Sequence, residues 1–186
     1  MEISTTELQG LCIIKPKIFS DHRGYFFESF NEKELSESGL KYRFVQDNQS
    51  KSVYGVIRGL HYQLEPYAQT KLVRVLSGKI RDIAVDIRKG SPTFGRSFSI
   101  DLSCENKLQL LVPKGFAHGF SVLSETAHVL YKTDDYYMHA AERGIRYNDK
   151  LLSVDWGLKP SEEVVADRDK SFPDFDKADM NFTFNP

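Results

Sequence analysis

The 186-residue sequence is poor in cysteine, lacks any long apolar run and carries no excess of charge of either sign. Its two cysteines, Cys12 and Cys104, cannot form a disulfide framework, so we expect both to be buried, reduced thiols of a cytoplasmic protein. No apolar run reaches the about 20 residues of a membrane helix, and the first residues lack the basic and apolar regions of a signal peptide. The 25 basic and 26 acidic residues nearly cancel. This balance argues against a nucleic-acid-binding protein, because phosphate binding needs clustered positive charge.

Short, apolar, β-prone segments separated by glycine- and proline-rich turns make up most of the chain. We predict strands at residues 11–14, 24–30, 44–47, 55–63, 71–76, 79–88, 96–102, 109–112, 116–123 and 127–132. Residues 32–39 are the best candidate for a helix, with an acidic start and a glycine stop. Many short strands with regular turns predict an all-β sandwich or barrel, in a single domain of residues 1–186. After Trp156 the pattern weakens, and residues 159–186 are expected to form an irregular tail with one short helix.

Polar side chains interrupt several of these predicted strands. By alternation, Lys71 shares the apolar face of its strand, so it is either a strand end that reaches water or a cation that faces a cavity. Arg58 and His61 point to opposite faces unless a bulge at Gly59 brings them together. Taken alone, His61 and His118 are more typical of hydrogen-bonded core histidines than of catalysts.

Two segments resemble the two halves of the cupin superfamily signature. Residues 113–118 fit Pro-x-Gly-x-x-His, and the first half can be laid on His61, Gln63 and Lys71. Metal-binding cupins hold their ion with three histidines and a glutamate, whereas here Gln63 and Lys71 stand at two of those positions. An ammonium repels a cation, and an amide is a weak ligand for transition metals. The resemblance therefore implies a cupin-type jelly-roll barrel with a few short helices. The departure predicts no metal and no other cofactor, and leaves a cavity with His61, His118 and Lys71.

Six ordered motifs, from about residue 11 to residue 169, make the resemblance narrower. The sequence is similar to the dTDP-4-dehydrorhamnose 3,5-epimerase family at residues 21–28, 45–50, 58–61, 71–75, 85–95 and 115–120, and also at 131–132 and 148–149. This resemblance implies an isomerase that inverts C3 and C5 of a dTDP-linked 4-keto-6-deoxy sugar, a step towards dTDP-L-rhamnose. It also implies a homodimer.

Inversion next to a ketone needs a base for the α-proton, a group that stabilises the enolate oxygen, and an acid on the opposite face. The resemblance implies that His61 is the base, that Lys71 stabilises the enolate and that Tyr131 is the acid. It also implies a carboxylate near the C-terminus that orients His61. Asp169 matches that position, with Asp167 as a competing candidate.

The resemblance further implies a set of substrate-binding residues. They are Arg23, Glu28, Gln46, Asp47, Asn48, Arg58, His118, Tyr137, Glu142 and Arg168. Arginines suit the two phosphates because a guanidinium donates paired hydrogen bonds to phosphate oxygens. Tyr137 is a candidate to stack on the thymine, with an exposed surface tyrosine as the alternative. Dimers of the family exchange strands, so some of these residues are candidates for the partner's site. Asp82 is expected to orient His118 or Lys71.

Three other functions stay open. A 3- or 5-mono-epimerase of another deoxysugar pathway would carry the same base, acid and lysine. A metal-dependent cupin is disfavoured by Lys71. A non-catalytic sugar-nucleotide binder would need no base, acid and carboxylate together.

Overall fold

The computed structural model describes residues 1–185, and two β-sheets dominate it. The first sheet has six antiparallel strands, in the spatial order β1 (Glu2–Thr5), β2 (Cys12–Lys15), β10 (Gln109–Val112), β7 (Lys71–Ser77), β12 (Thr126–Thr133) and β5 (Gln46–Val53). The second has the order β13 (Glu142–Gly144), β6 (Val56–Gln63), β11 (Phe116–Val122), β8 (Lys79–Asp86) and β9 (Ser97–Ser103), with β14 (Val164–Val165) parallel to β6. A separate hairpin pairs β3 (Phe19–Asp21) with β4 (Gly24–Phe26). The helices are α1 (Glu32–Glu37) and α2 (Asp167–Lys170), with 3₁₀ turns at His139–Ala141, Pro160–Glu162 and Phe175–Lys177.

The main core lies between the two sheets. Side chains such as Val73 and Val129 of the first sheet pack against Ile80 and Phe120 of the second. Each fully buried aliphatic or aromatic side chain contributes about 1.5–3 kcal/mol of transfer free energy. This two-sheet, mainly antiparallel arrangement is the jelly roll that the resemblance predicts, and the all-β prediction is confirmed.

A second core covers the outer face of the second sheet. It joins strand residues such as Ile57 and Ile83 to Trp156, Met180 and Phe182 of the C-terminal region. The second sheet is thus buried on both faces. The tail is less irregular than predicted, because it adds a strand, a helix and buried anchors to the fold.

Strand β5 shows where the strand predictions failed. We predicted only residues 44–47, but the strand runs from Gln46 to Val53 and pairs with β12 over eight residues. Its side chains are almost all polar, so hydrophobicity gave no signal; the backbone pairing defines it. The short strands β1, β3, β13 and β14 were also not predicted.

The predicted helix is confirmed as α1. Asn31 caps it, because its Oδ1 accepts a hydrogen bond from the Glu34 amide at 3.2 Å. The helix ends before Gly39, whose φ of +86° is a left-handed conformation that glycine adopts without strain.

The cysteine prediction is half right. Cys12 is buried and Cys104 is partly exposed, and both are free thiols. Cys104 follows directly after β9 in a turn, with its Sγ 3.2 Å from Glu105 Oε1. A turn at the surface does not bury its side chains as a strand does.

One of the motifs behind the family resemblance is structural. The carboxylate of Asp86 is fully buried and accepts hydrogen bonds from Ser91 Oγ at 2.6 Å, Thr93 Oγ1 at 2.7 Å and Arg88 Nη2 at 2.8 Å. Burial alone would raise the pKa of Asp86, but these bonds outweigh it and hold the pKa below its ordinary value. The motif therefore fixes the turn after β8.

Among residues 1–185, none of the helices has the length and apolar character that spanning a membrane requires.

Candidate active site

A cavity of about 120 Å³, here called the polar cavity, is lined by side chains from both sheets. Its lining comprises Gln46, Asn48, His61, Tyr62, Gln63, Gln69, Lys71, Tyr131, Tyr137 and Glu142. A second cavity of about 480 Å³, here called the tail cavity, lies beside β6, β14 and α2. Its lining comprises Val56, Ile57, Arg58, His61, Val164, Val165, Ala166, Arg168 and Asp169. His61 lines both cavities.

His61 is paired with a carboxylate that lies 108 residues further along the chain. Its Nε2 is 2.9 Å from Asp169 Oδ1, and Asp169 Oδ2 accepts a hydrogen bond from the Gly59 amide at 3.1 Å. Burial alone would raise the pKa of Asp169, but the hydrogen bond and charge of His61 hold it below its ordinary value. An ionised Asp169 accepts a hydrogen bond from Nε2–H, which leaves Nδ1 as the basic nitrogen of His61.

The structure distinguishes the two candidate carboxylates for this position. Asp167 is fully exposed, and its Oδ1 is 3.3 Å from Lys170 Nζ. Asp169, two residues further along α2, is 5% exposed and faces β6. The ring of Phe172 packs edge-on against His61, with centroids 5.6 Å apart.

Of the two arrangements left open for Arg58 and His61, the structure has the bulge at Gly59. The register pairs His61 with His118 but Arg58 with Phe120, so three steps along β6 match two steps along β11. A Cβ at Gly59 would lie 2.6 Å from the Cα of Gly119, and the φ of Gly59 is +130°. Only glycine fits at this position, because any side chain would clash with the neighbouring strand and strain the backbone. As a result Arg58 and His61 both line the tail cavity.

Two alternatives were open for Lys71, a strand end that reaches water and a cation that faces a cavity. The structure supports the second. Lys71 stands at the first residue of β7 and lines the polar cavity. Burial lowers its pKa to about 8, while the negative charges of Asp82 and Glu142 oppose that shift. Lys71 is thus mainly protonated at neutral pH, in a place where its ammonium can stabilise an oxyanion.

Tyr131 lines the polar cavity from the first sheet, the same sheet as Lys71 and opposite that of His61. It belongs to β12 of the first sheet, whereas His61 belongs to β6 of the second. Burial raises the pKa of Tyr131, although the positive charge of Arg58 opposes the shift. The phenol therefore stays protonated at neutral pH, as a proton donor must. A base and an acid on opposing sheets suit a reaction in which a proton leaves one face of a carbon and returns to the other.

His118 and Asp82 form a second histidine–carboxylate pair, on the two strands that follow that of His61 in the second sheet. His118 Nε2 is 2.6 Å from Asp82 Oδ1, and both side chains are buried. His118 is not among the lining residues of either cavity, although its register partner His61 lines both, so its role in substrate binding stays a prediction. The expectation that Asp82 orients His118 agrees with this contact. Asp82 Oδ2 is buried and has no hydrogen-bond partner among residues 1–185.

Three predicted binding residues of β5 are separated by strand alternation. Gln46 and Asn48 line the polar cavity, and their amides are joined by a 2.9 Å hydrogen bond. Asp47 lies on the opposite face, where its carboxylate is 2.9 Å from Lys132 Nζ. The structure therefore does not bring Asp47 to the cavity, because successive side chains of a strand point to opposite sides.

Glu142 joins two more predicted residues at the cavity. Its Oε2 accepts a 2.7 Å hydrogen bond from the Tyr137 hydroxyl, and its Oε1 pairs with the Arg168 guanidinium. Burial alone would raise the pKa of Glu142, but the bonds from Tyr137 and Arg168 hold it below its ordinary value. Tyr137 itself is half exposed.

Arg23 and Glu28 do not reach either cavity of their own chain. Arg23 lies in the hairpin turn between β3 and β4, exposed, with its Nη2 2.6 Å from Asp21 Oδ2. The Glu28 carboxylate accepts a hydrogen bond from the side-chain amide of Asn31, with Oε1 and Nδ2 3.4 Å apart. Within one protomer, these two predictions are not supported.

Sequence reasoning missed several residues of the site. Gln63, Gln69 and Tyr62 line the polar cavity, and Ser52 Oγ accepts a 3.0 Å hydrogen bond from Arg58 Nε. Gln63 carried a signal, because it lies two residues from His61 on the same strand; Gln69 lies in a loop and carried none. Among residues 1–185, no group of three or more His, Cys, Asp or Glu side chains is arranged to hold a metal ion.

Comparisons with known proteins identify the family of this chain. A model of the family described as dTDP-4-dehydrorhamnose 3,5-epimerase matches residues 5–177. A dTDP-4-dehydrorhamnose 3,5-epimerase of Shigella flexneri is 51% identical over 180 residues, which cover 96% of this chain and 98% of the relative.

Two solved structures share the fold. A dTDP-6-deoxy-D-glucose-3,5-epimerase from Legionella pneumophila, in complex with dTDP-4-keto-L-rhamnose, is 46% identical with a TM-score of 0.95, covering 100% of this chain and 99% of that one. A 3′-monoepimerase from Streptomyces bikiniensis, in complex with dTDP-quinovose, is 29% identical with a TM-score of 0.85, covering 91% and 85%. The chain therefore belongs to the dTDP-4-dehydrorhamnose 3,5-epimerase family of isomerases.

Proposed function

We propose that this chain converts dTDP-4-dehydro-6-deoxy-D-glucose to dTDP-4-dehydro-L-rhamnose by cofactor-free epimerisation at C3 and C5. The observation that carries the proposal is the polar cavity. A carboxylate-paired histidine and a protonated tyrosine enter it from opposing sheets, and a lysine of lowered pKa lines it as well.

In the proposed mechanism, His61 removes the proton from the carbon next to the ketone, and the electron pair moves to the ketone oxygen. Lys71 stabilises the resulting enolate oxygen, which is the largest electrostatic demand of the reaction. Tyr131 then donates its proton to the opposite face of the carbon. His61 then loses its proton to solvent and Tyr131 regains one from solvent, so that both groups are reset before the second carbon reacts and again before the next turnover. The same steps at the second carbon complete the inversion.

The nucleotide diphosphate is proposed to lie along the cavity walls beyond the sugar. Arg58 and Arg168 would donate to the phosphates, while Gln46, Asn48 and Glu142 offer amide and carboxylate contacts. Tyr137 is half exposed beside them, which suits stacking on the thymine.

We further propose that the protein works as a homodimer in the cytoplasm. Phe19, Tyr25 and Phe26 of the β3–β4 hairpin are more than half exposed, which suits contact with a second copy. In that assembly Arg23 and Glu28 would serve the partner's site. The two free cysteines suit a reducing compartment.

The proposal is tested with chelator-treated protein in D₂O and dTDP-4-keto-6-deoxy-D-glucose. NMR follows deuterium at C3 and C5, and a coupled NADPH-dependent reductase traps the L-lyxo product. Deuterium at both carbons with trapped product is expected. Label at one carbon would favour a mono-epimerase, an alternative that the similarity to the Streptomyces enzyme keeps open. Activity restored only by added metal would refute the cofactor-free reaction.

Tyr131→Phe tests the acid separately from the base. We expect this variant to keep exchanging deuterium into the substrate while inversion is impaired, because only the donor on the far face is lost. Losing exchange and inversion equally would argue against a dedicated acid.

A further inference from the structure

The loop that carries Tyr137 is held by hydrogen bonds and not by apolar packing. Tyr136 is 65% exposed, Tyr137 50% and Met138 37%, so little side-chain burial fixes residues 134–138. Burial is the usual anchor of a loop, and without it the main chain needs explicit partners.

The side-chain amide of Gln63 supplies those partners on both sides of Tyr137. Its Nε2 donates to the Tyr67 carbonyl at 2.6 Å and to the Tyr136 carbonyl at 3.2 Å. Its Oε1 accepts from the Met138 amide at 2.7 Å. A glutamine amide has two N–H donors and one carbonyl, and here both donors and the carbonyl contact main chain. Gln63 is 5% exposed, so these bonds are shielded from water.

Gln63 connects this loop to the strand that carries the base. It lies two residues after His61 on β6, and its register partner on β13 is Glu142. Tyr137 is held from two further directions: its amide donates to Gln46 Oε1 at 3.2 Å and its hydroxyl to Glu142 Oε2 at 2.7 Å. Gln63 is the one of these groups that binds both neighbours of Tyr137.

We propose that Gln63 is a positioning residue that holds Tyr137 as a wall of the cavity and thereby sets the affinity for the nucleotide part of the substrate. The nature of that ligand rests on the function proposed above. The position that a metal-binding cupin gives to a ligand is used here to fix a loop. Because Gln63 acts through Tyr137, it affects binding rather than proton abstraction.

The test variant is Gln63→Glu, which keeps the shape of the side chain. Its carboxylate places an acceptor against two carbonyl oxygens, so we expect the loop to be released. The KM for the dTDP-sugar and the Kd for dTDP, measured by calorimetry, should each rise about tenfold. Deuterium exchange at saturating substrate should fall by a smaller factor than the Kd rises, because the lost bonds hold the loop of Tyr137 and not His61. At lower pH the introduced carboxylate becomes protonated and regains one donor, so the difference in KM should narrow as pH falls.

Two further variants keep the test decisive. Gln63→Met removes the bonds without adding charge, and it replaces the first variant if that one does not fold; a rise in both KM and Kd is again expected. Asn181→Ala is the matched control. Its amide also binds main chain, at Glu65 N and Glu65 O at 3.1 and 3.0 Å, but it holds the tail. We expect its KM and Kd to be unchanged.

An unchanged Kd for dTDP in both Gln63 variants would overturn the inference, and so would a collapse of the exchange rate with normal affinity. The proposed function fails separately, when the unmodified protein exchanges no deuterium; dTDP binding by the variants still tests Gln63 in that case.

Discussion

His61 and His118 lie opposite each other on paired strands, and each is bound through Nε2 to an aspartate. The two pairs differ in access. The side chain of His61 is 27% exposed and lines two cavities, whereas that of His118 is 7% exposed and lines neither. Histidine–carboxylate pairing alone therefore does not make a catalytic base. A base also needs a route to the substrate.

The two carboxylates also differ in origin. Asp82 comes from β8, the strand next to β11, so the second pair forms within one sheet. Asp169 comes from α2 and reaches His61 only when the C-terminal region docks on β6. The His61–Asp169 pair thus depends on a contact between segments far apart in sequence, whereas the His118–Asp82 pair depends on a neighbouring strand.

Replacing each histidine by asparagine should give the largest difference in activity between the two pairs. We expect His61→Asn to lose about 10²–10⁴-fold in deuterium exchange at both C3 and C5, because the general base is gone, while dTDP still binds. His118→Asn should lose less than about tenfold in exchange and chiefly lower thermal stability, because a buried polar contact is weakened. Near-normal exchange by His61→Asn would disprove its role as base.

Replacing the carboxylates gives the next largest effect. In Asp169→Asn the amide can donate to His61 Nε2, which forces the proton to Nδ1 and removes the basic nitrogen; we expect about 10²-fold slower exchange. Asp82→Asn leaves the tautomer of His61 alone and should slow exchange by less than about tenfold. Exchange rates of the two variants in D₂O test this difference. Equal losses would contradict the expectation that only Asp169 sets the tautomer of His61.

The pH dependence of the activity tests the role of Lys71, which lies near Asp82 of the second pair. The pKa of Lys71 is lowered to about 8, so the ammonium is present below that pH and is lost as pH rises through it. We expect activity to fall above a pH of about 8. Lys71→Arg should remove this decline at the cost of a lower rate, because a guanidinium stays protonated.

Asp82→Asn should move the same decline to lower pH, because it removes a negative charge that favours the ammonium. Initial rates measured across the pH range in buffers of constant ionic strength check both expectations. A decline that persists unchanged in Lys71→Arg would assign it to another group.

The smallest expected effect concerns stability. The pKa of Asp169 lies below its ordinary value, so its ionised form stabilises the fold at neutral pH, and this contribution is lost as pH falls through the folded-state pKa. Asp169→Asn should therefore be less stable than the unmodified chain by about 1–3 kcal/mol at neutral pH. The difference should shrink in acid. Thermal unfolding at several pH values measures it, and a constant difference would contradict the linkage.

Much of the fold and part of the site were predictable from local patterns. Alternation placed Lys71 on an otherwise apolar strand face, and Gly59 between Arg58 and His61 marked where a bulge could put both beside one cavity. Polar side chains in β-prone, apolar segments are informative because they oppose the burial around them. Tyr131 carried no such signal and was found only through the family resemblance.

The missed elements share a cause. Strand β5 has mostly polar side chains and forms because β12 offers it a complete ladder of backbone hydrogen bonds. Asp47 was predicted with Gln46 and Asn48 because all three match positions of the family resemblance, although alternation turns Asp47 to the other face of β5. The composition of a segment does not specify which strand will pair with it.

Sequence patterns alone were enough to predict the all-β class, the helix at α1 and the family, because these depend on residues close together in the chain or on whole motifs. Three features are visible only in the packed fold: Asp169 rather than Asp167 contacts His61, His118 is buried against Asp82, and Gln63 binds the loop of Tyr137. The physical reason is that each of these depends on contacts between segments tens to more than a hundred residues apart, whose register only the packed sheets define.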